Sequence, residues 1–278
     1  MTLFRIERHG PLVELILTRP ERHNALNAAL ITGLQEALDD LGHAHGQPIA
    51  QRPHALILRA EGAHFCAGAD LNWMRSLAHR DFEHNREDAR QLARLLHTLS
   101  QLPMPTLALV QGAAYGGALG LIAACDMAIA AEGARFCLSE VRLGLVPAMI
   151  SPYVVRAIGL RQCQRYMLSA EPFDAITACR LGLVHETAHD TALLQRGRHL
   201  AERLCQNGPE AMKETKRLLG HLALDPDRFE QICVDTLARV RVAPEAQEGM
   251  QAFFDKRPPR WRHDVDGRQA APQPEEEQ

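Results

Sequence analysis

The sequence predicts an α/β fold, with a layered core of strands and helices followed by a region built of helices alone. Three observations predict it. Short apolar strands alternate with helices through about residue 190, every element from Ala201 to Phe254 has a helical pattern, and the composition is 46% hydrophobic and 23% charged. Alternating strands and helices are typical of an α/β core with crossover connections. The composition is that of a globular chain with a substantial core.

Two strands and a helix open the chain. Apolar segments at 3–9 and 12–18 flank a Gly-Pro pair and predict two short strands. Asn27 has the position of a helix N-cap. The helix after it is predicted from an apolar stripe at helical spacing, formed by Leu30, Ile31, Leu34, Leu38 and Leu41.

The next part of the chain predicts one strand, a loop that contains glycine, and two helices. The strand lies at 55–58 and the loop at 61–70, and the helices lie at 71–77 and 83–102. The second helix ends before two prolines, which cannot continue it.

The middle of the chain is rich in apolar strands. We predict strands at 106–110, 127–130 and 135–138, a turn at 112–117 and a short helix at 118–124. Because this helix has no polar face, we expect it to be buried.

The chain divides into three predicted regions. Residues 1–200 form a core of alternating strands and helices, 201–262 form the helical region, and 263–278 form a polar tail that we expect to be disordered. The chain after Ser151 has a mostly helical pattern.

Charge and cysteine content exclude several classes of protein. The net charge of −3 gives no general attraction to nucleic acid or to anionic membranes. The seven cysteines are odd in number and form no C-x-x-C motif, which is typical of reduced thiols in a cytoplasmic protein. The longest apolar run, 118–125, is too short to span a membrane, and no signal peptide is expected. The 14 histidines lack metal-binding spacing, so we expect no metal.

Two loops that each follow a strand and precede a helix are candidate anion sites. They lie at 64–70 and 111–118. Small residues let backbone N–H groups approach a ligand, and a helix N-terminus favours negative charge. The second loop fits neither the Walker nor the dinucleotide glycine pattern. Each loop also has a purely structural interpretation, with Asp70 as a helix cap in the first and close glycine packing in the second.

Glu140 is the candidate acid/base. It is the single acid in the largely apolar segment 138–147. A carboxylate near apolar surface tends to have a raised pKa and can exchange protons near neutral pH. The alternative is a structural carboxylate that pairs with Arg142 or caps a helix.

In their order along the chain, these segments resemble the crotonase (enoyl-CoA hydratase/isomerase) superfamily, from about Leu12 to Trp261. The similar motifs are Thr18-Arg19-Pro20 with Asn24-Ala25-Leu26-Asn27, the oxyanion loops at 67–71 and 112–126, the glutamate segment 140–147, the helix 208–216 and the ending Lys256-Arg257-Pro258. The helix dipole alone would also favour basic residues at such a helix end.

The resemblance implies a spiral of repeated ββα turns followed by helices that mediate trimerisation, with trimers that often pair into hexamers. It implies an acyl-CoA thioester as substrate, so CoA enters with the substrate and no separate cofactor is expected. The backbone N–H groups of Ala69 and Gly117 would hold the thioester oxygen as it becomes an enolate, with Glu140 as acid/base. The implied CoA-binding residues are Ala25, Ala69, Asp70, Leu71, Asn72, Gly116 and Lys256, the last of them near the phosphates.

Two features depart from the superfamily pattern. Standard hydratases carry a second glutamate three residues after the second oxyanion glycine, and this chain has Gly120 there. The stretch after Pro147 often contains a glycine pair, and this chain has Ala148-Met149-Ile150-Ser151-Pro152-Tyr153. We therefore expect an altered acyl pocket without a two-carboxylate water clamp.

Within the superfamily, the segments 70–74, 115–120 and 139–158 most resemble bacterial methylglutaconyl-CoA and isohexenylglutaconyl-CoA hydratases, of leucine and acyclic terpene breakdown. The implied function is hydration of the 2,3 double bond of a branched or carboxylated enoyl-CoA. An arginine is then expected at the acyl end, because arginine matches a carboxylate with two hydrogen bonds. The candidates are Arg75, Arg142 and Arg156.

Three alternatives stay open. A single glutamate also fits an enoyl-CoA double-bond isomerase, and a non-catalytic CoA-binding protein would resemble the family as well. RNA binding, known for one eukaryotic relative through a lysine-rich helix, is disfavoured because the segment 28–41 has no Lys or Arg. The sequence leaves the acyl chain and the choice between trimer and hexamer open.

Overall fold

A computed structural model describes residues 2–77, 80–221, 226–241 and 243–261, and its framework is a six-stranded sheet beside a three-stranded sheet. The strands are β1 (Phe4–His9), β2 (Leu12–Leu17), β3 (Ala55–Ala60), β4 (Thr106–Val110), β5 (Ala113–Tyr115), β6 (Met127–Ala131), β7 (Arg135–Cys137), β8 (Phe173–Asp174) and β9 (Glu186–Ala188). The helices are α1 (Ala28–His43), α2 (Leu71–Leu77), α3 (Phe82–Gln101), α4 (Gly117–Ala124), α5 (Ser151–Ser169), α6 (Ala175–Leu181), α7 (Leu193–Cys205), α8 (Pro209–Leu219), α9 (Pro226–Arg241) and α10 (Pro244–Phe254).

The larger sheet has helices on both faces. Its order is β1-β2-β3-β4-β6-β9, in which β1 and β2 are antiparallel and all other neighbours are parallel. On β3, Leu56 and Leu58 belong to a core shared with α1, α3, α4 and α5, whereas Ala55 and Ile57 belong to a second core with α7. Burial on both faces explains why these strands are continuous apolar runs.

The smaller sheet corrects one sequence-based prediction. Residues 112–117 were expected to form a turn, but Ala113–Tyr115 forms β5. Its backbone pairs with β7 in parallel, and Ala114 also bridges to Cys66. These distant partners satisfy the backbone, which local sequence does not reveal. The short strands β8 and β9 were likewise not predicted as separate elements.

Helix α1 forms where its cap and stripe predict it. The Asn27 side chain accepts a hydrogen bond from the Leu30 N–H at 2.8 Å. All five residues of the predicted stripe are buried. Such a cap satisfies an N–H group that has no acceptor within the helix. The cap therefore fixes where α1 begins, and the buried stripe fixes which side of α1 faces the core.

Helix α4 is the wholly apolar helix of the sequence, and every residue from Ala118 to Ala124 is buried. It lies in the larger core, in contact with α3 and α5. Burial of residues 118–124 brings the N-terminus of α4, at the half-buried Gly117, to the candidate site.

The helical region is tied to the core through α8. Lys216 Nζ donates to Asp126 Oδ2 at 2.7 Å and to the Met104 carbonyl at 3.2 Å. The same Asp126 oxygen accepts the N–H and the hydroxyl of Thr106 at 2.8 and 2.9 Å. This network joins α8 to the start of β4.

The predicted boundary at residue 200 falls within α7, whose residues Leu193 and Ala201 pack on the larger sheet. The predicted tail, 263–278, lies outside the described residues. Among the helices that the structure describes, none is both long and apolar enough to cross a membrane.

Candidate active site

The two candidate anion loops lie side by side. Cys66 forms a parallel bridge with Ala114, and its N–H donates to the Ala113 carbonyl at 3.2 Å. The Tyr115 N–H donates back to the Cys66 carbonyl at 3.0 Å. Ala69 follows Cys66 by three residues, and Gly117 follows Ala114 by three residues. The fold therefore brings the two predicted oxyanion residues into neighbouring loops.

Leu26 holds both loops from the other side. It forms a parallel bridge with Ala69, in which the Leu26 N–H donates to the Gly68 carbonyl at 2.7 Å and the Asp70 N–H donates to the Leu26 carbonyl at 2.8 Å. The Cδ1 of Leu26 lies 3.1 Å from the point that a Cβ on Gly117 would occupy. Sequence reasoning placed Leu26 in a motif but gave it no role.

Glycine at two positions allows this close approach. Gly68 has φ +96°, and a Cβ there would lie 3.1 Å from the Tyr115 carbonyl oxygen. Gly116 has φ 52° and ψ −120° at the N-cap of α4. A side chain at either position would be strained, because L-residues rarely adopt these backbone angles.

Two backbone N–H groups at this junction are available to a ligand. The hydrogen bonds of the Leu26 bridge use the neighbours of Ala69, and within the described residues the Ala69 N–H has no acceptor. Gly117 is the first residue of α4, so its N–H has no acceptor inside the helix. The α4 dipole adds partial positive charge at the same point. Together these donors suit an oxyanion.

The Asp70 side chain has a structural role. Its Oδ1 accepts the Asn72 N–H at 2.9 Å, as a cap of α2, and its Oδ2 accepts from Arg19 at 3.1 Å. Arg19 also donates to the Ala25 carbonyl at 2.8 Å. Burial favours the neutral acid, but Arg19 and the N–H donors outweigh it and lower the pKa of Asp70. Arg19 thus links the two predicted CoA-binding segments, a role that sequence reasoning missed.

Glu140 approaches the second loop. It begins a short 3₁₀ turn, 140–143, directly after β7. Its Oε1 lies 3.1 Å from the point that a Cβ on Gly116 would occupy. Its Oε2 is buried and has no hydrogen-bond partner among the described residues. Burial raises the pKa of this carboxyl, because a low-dielectric surrounding disfavours the charged form.

The contacts of Arg142 do not support the alternative in which Glu140 is a structural carboxylate paired with Arg142. The Arg142 guanidinium donates to the Ala170 carbonyl at 2.5 Å, and Glu140 Oε2 has no hydrogen-bond partner among the described residues. Ala170 follows the end of α5. Arg142 therefore ties the 3₁₀ turn to α5 and leaves the Glu140 carboxyl unneutralised.

Gly120, the position of the missing second glutamate, faces a filled interior. A Cβ there would lie 2.3 Å from Ile150 Cγ2 and 3.2 Å from Leu96 Cδ1. Ile150 and Leu96 are buried, at 2% and 0% exposed. The two departures from the superfamily pattern, at Gly120 and after Pro147, therefore meet in space.

The remaining predicted CoA-binding residues lie at the surface. Leu71 is 70% exposed at the start of α2, and Asn72 is exposed beside it. Lys256 follows the end of α10 with φ 51°. Its contact with CoA phosphates stays a prediction.

One acidic cluster outside this site has the spacing of a metal site. Glu7, His9 and Glu14 are the one group in the described ranges whose ligand atoms lie within 4.8 Å of one another. However, the buried Glu14 already accepts hydrogen bonds from Arg59 and Arg198, both at 2.6 Å. Two guanidinium charges oppose cation binding there, so we interpret the cluster as an ion-pair network.

Comparison with known proteins identifies similar chains. Residues 7–264 match the family model described as enoyl-CoA hydratase/isomerase. A candidate enoyl-CoA hydratase from Thermus thermophilus is 35% identical over 255 residues, which cover 91% of this chain and 98% of that protein. The enoyl-CoA isomerase/hydratase fer4 of Mycosarcoma maydis is 32% identical over 254 residues, which cover 88% and 90%.

A solved structure supports the same relationship. The crystal structure of an enoyl-CoA hydratase from Shewanella pealeana superposes with a TM-score of 0.88 at 44% identity, covering 94% of this chain and 96% of that one. The predicted α/β fold is confirmed by this match.

Proposed function

The chain belongs to the enoyl-CoA hydratase/isomerase family, and on that premise we propose that it hydrates the 2,3 double bond of a branched or carboxylated enoyl-CoA. The observation that carries this proposal is the position of Glu140. A single carboxyl with a raised pKa lies against Gly116, the residue that precedes the unpaired Gly117 N–H. The candidate acid/base therefore lies beside the residue that directly precedes the oxyanion donor.

In the proposed reaction, the Ala69 and Gly117 N–H groups bind the thioester oxygen. As the oxygen of water bonds to C3, the electron pair of the double bond moves through C2 onto the thioester oxygen and forms an enolate. Glu140 takes a proton from the water and delivers one to C2 as the enolate collapses. Donors that are oriented before the reaction stabilise such charge, typically by about 2.7–4 kcal/mol for one donor.

The desolvated state of Glu140 suits both steps. General acid–base catalysis is most efficient when the pKa of the group lies near the working pH. Burial raises the pKa of Glu140 above the ordinary 4.5 and so moves it toward the working pH. Because Oε2 has no partner among the described residues, it is free to bind water or substrate.

We propose that the CoA moiety contacts the backbone at Ala25, at Ala69 to Asn72 and at Gly116, with Lys256 near the phosphates. The support is the bridge between Leu26 and Ala69, which places these two segments next to each other. CoA arrives as part of the substrate, so the proposal needs no separate cofactor.

The three candidate arginines differ in the contacts that they already make, and we use this difference to choose one for binding a substrate carboxylate. Arg142 already donates to Ala170, and Arg156 lies over the Tyr153 ring at 5.9 Å from its centroid. Arg75 is exposed on α2, directly after the first oxyanion loop. We therefore propose Arg75 as the carboxylate-binding arginine.

The second candidate function is double-bond isomerisation. It is favoured by the filled interior at Gly120, which leaves Glu140 to shuttle a proton alone. The similarity to a protein named enoyl-CoA isomerase/hydratase supports the same possibility. Isomerisation would move a proton between C4 and C2 and would need no added water.

A substrate panel separates the two functions. The panel contains crotonyl-, 3-methylglutaconyl-, isohexenylglutaconyl- and 3-hexenoyl-CoA, with Glu140→Gln as the inactive variant and the exposed Glu132→Gln as a matched control. Hydration confined to the glutaconyl substrates, with a raised KM in Arg75→Gln, would support our proposal. Conversion of 3-hexenoyl-CoA alone would establish the isomerase instead.

We further propose that the chain assembles as a homotrimer or as a hexamer of paired trimers. Phe253 and Phe254, at the end of α10, are 79% and 74% exposed, and large exposed apolar side chains often mark an interface. Light scattering on the purified protein measures the assembly directly, and a monomer at micromolar concentration would contradict the proposal.

A further inference from the structure

Ile150 and Gly120 form a close contact between the start of α5 and α4. A Cβ on Gly120 would lie 2.3 Å from Ile150 Cγ2 and 3.0 Å from Ile150 Cβ. Side-chain atoms do not approach so closely, so only glycine fits opposite Ile150. Ile150 is the N-cap residue of α5 and is 2% exposed.

Glu140 lies at the N-terminus of the same helix. Gly116 is the N-cap of α4 and has a backbone outside the helical range, at φ 52° and ψ −120°. Gly120 lies four residues further along the chain, about one turn or 5.4 Å along the helix axis. Glu140 lies against Gly116, and Ile150 lies against Gly120. The first turn of α4 is therefore flanked by the acid/base at its start and by an aliphatic side chain at its end.

The turn before α5 holds Ile150 in place. Both the N–H and the hydroxyl of Ser151 donate to the Pro147 carbonyl, at 3.1 and 2.6 Å. Leu96 also lies close to Gly120, with its Cδ1 3.2 Å from the point that a Cβ on Gly120 would occupy. The hydrogen bonds of Ser151 therefore fix the backbone beside Ile150, and Leu96 is a second close neighbour of Gly120.

We infer that Ile150 is a specificity-determining residue that ends the acyl pocket one helical turn beyond Glu140. This inference rests on the proposed function, because it takes Glu140 as the acid/base and an enoyl-CoA as the substrate. An acyl chain that reaches past the reacting carbons along α4 meets the Ile150 methyl groups. The enzyme therefore favours compact acyl groups, and a smaller residue at position 150 extends the pocket.

The test compares acyl-chain length in matched variants. We would measure the dissociation constants of saturated acyl-CoAs from C4 to C10 with the wild type, Ile150→Val and Ile150→Ala, and kcat/KM for every 2-enoyl-CoA of the same lengths that the wild type hydrates. Ile31→Ala is the matched control, because Ile31 is 1% exposed in the same core but lies on α1. The preference for C8 over C4 should rise about tenfold or more in Ile150→Ala, as one or two methylenes in an apolar pocket typically give.

Ile150→Val should give a smaller rise, and Ile31→Ala should leave the preference unchanged. An unchanged preference in a folded Ile150→Ala, with folding checked by circular dichroism, would overturn the inference and leave Ile150 a core residue only. A double-mutant cycle adds a second measurement. Gly120→Ala should destabilise the wild type more than it destabilises Ile150→Ala, because the clash is then absent.

Binding separates this inference from the proposed function. Dissociation constants for the saturated acyl-CoAs from C4 to C10 report pocket length without turnover. If the wild type hydrated no enoyl-CoA, but Ile150→Ala bound the C8 thioester about tenfold tighter than the wild type did, the hydratase proposal would fail and the assignment of Ile150 would stand. Equal binding of the series by both proteins would contradict the assignment itself.

Discussion

The carboxylate of Glu140 lies against the backbone of Gly116, with Oε1 3.1 Å from the point that a Cβ on Gly116 would occupy. The Gly116 N–H also donates to the Cys137 carbonyl at 2.9 Å, three residues before Glu140. The end of β7 and the N-cap of α4 are therefore joined directly. This joint sets the distance between the acid/base and the Gly117 N–H.

We predict that Gly116→Ala lowers kcat about a hundredfold, because a misplacement of about 1 Å in an active site can have that effect. The added Cβ would push Glu140 away from the site. Backbone strain alone would cost about 1–3 kcal/mol of stability. Steady-state kinetics at saturating substrate, with thermal unfolding of the same samples, separate the two effects.

Gly159→Ala is the control for this variant. Gly159 also has a backbone that favours glycine, at φ 77° and ψ 155°, but no atom lies within 4 Å of its Cβ point. It should lose stability and keep its kcat. Equal losses of kcat in both variants would show that Gly116 acts through folding alone.

Glu140→Gln should lower kcat by about 10²–10⁴-fold, the usual contribution of a general acid–base. Because Glu140 must be ionised to accept a proton from water, kcat/KM of the wild type should rise with pH through the pKa of Glu140. Burial raises this pKa, so the limb should lie above pH 4.5. A pH–rate profile that keeps the same limb in Glu140→Gln would assign the limb to another group.

Glu140 also has a predicted effect on stability. Its folded pKa is raised, so between pH 4.5 and the raised value the native state binds more protons than the unfolded chain. The stability of the wild type therefore falls as pH rises through that window. Glu140→Gln lacks this loss and should have the higher melting temperature at pH 7, with no such advantage below pH 4.5. A lower melting temperature for the variant at pH 7 would contradict this.

How far the sequence predicts the structure depends on whether a signal is local. The Asn27 cap and the apolar helix at 118–124 are local patterns, and both are found in the structure. Strand β5 is not predictable in this way. The small residues at 112–117 have the composition of a turn, and only pairing with Cys66 and with β7 makes Ala113–Tyr115 a strand.

The site shows the same limit. Gly120 and Ile150 each stand out in the sequence as a departure from the superfamily pattern. Their contact joins positions thirty residues apart, as their numbers show, so no local spacing predicts it. The role of Arg19 is equally non-local, because its partners Ala25 and Asp70 come from separate loops.

We predict that the buried His45 makes the folded protein less stable in mild acid. It is 8% exposed, and its Nε2 lies 2.9 Å from Glu210 Oε1 on α8. Burial lowers the pKa of His45 more than Glu210 raises it. Below pH 6.5 the unfolded chain therefore binds a proton that the native state excludes, so stability is full above pH 6.5 and falls as pH falls toward the lowered pKa.

His45→Gln should flatten this dependence, measured as the free energy of unfolding in urea from pH 5 to pH 8. His97→Gln is the control for the substitution itself, because His97 is exposed on α3. If His45→Gln kept the wild-type slope, the loss of stability would belong to other groups.

Gly117 allows a direct test of the oxyanion donor, because two substitutions there separate shape from hydrogen bonding. Gly117 is the first residue of α4, where proline is tolerated since the N–H has no acceptor in the helix. Gly117→Ala adds a Cβ 3.1 Å from Leu26 Cδ1 but keeps the N–H. Gly117→Pro adds the same Cβ, closes a ring in place of the N–H and so removes the donor.

We expect Gly117→Pro to lose about 10²–10³-fold in kcat relative to Gly117→Ala, the effect of one oxyanion donor. Near-equal melting temperatures for the two variants would show that α4 is intact. Binding of the saturated acyl-CoA should change less than kcat, because the donor acts mainly on charge that develops in the transition state. If the two variants had the same kcat, the thioester oxygen would be held by groups other than the Gly117 N–H.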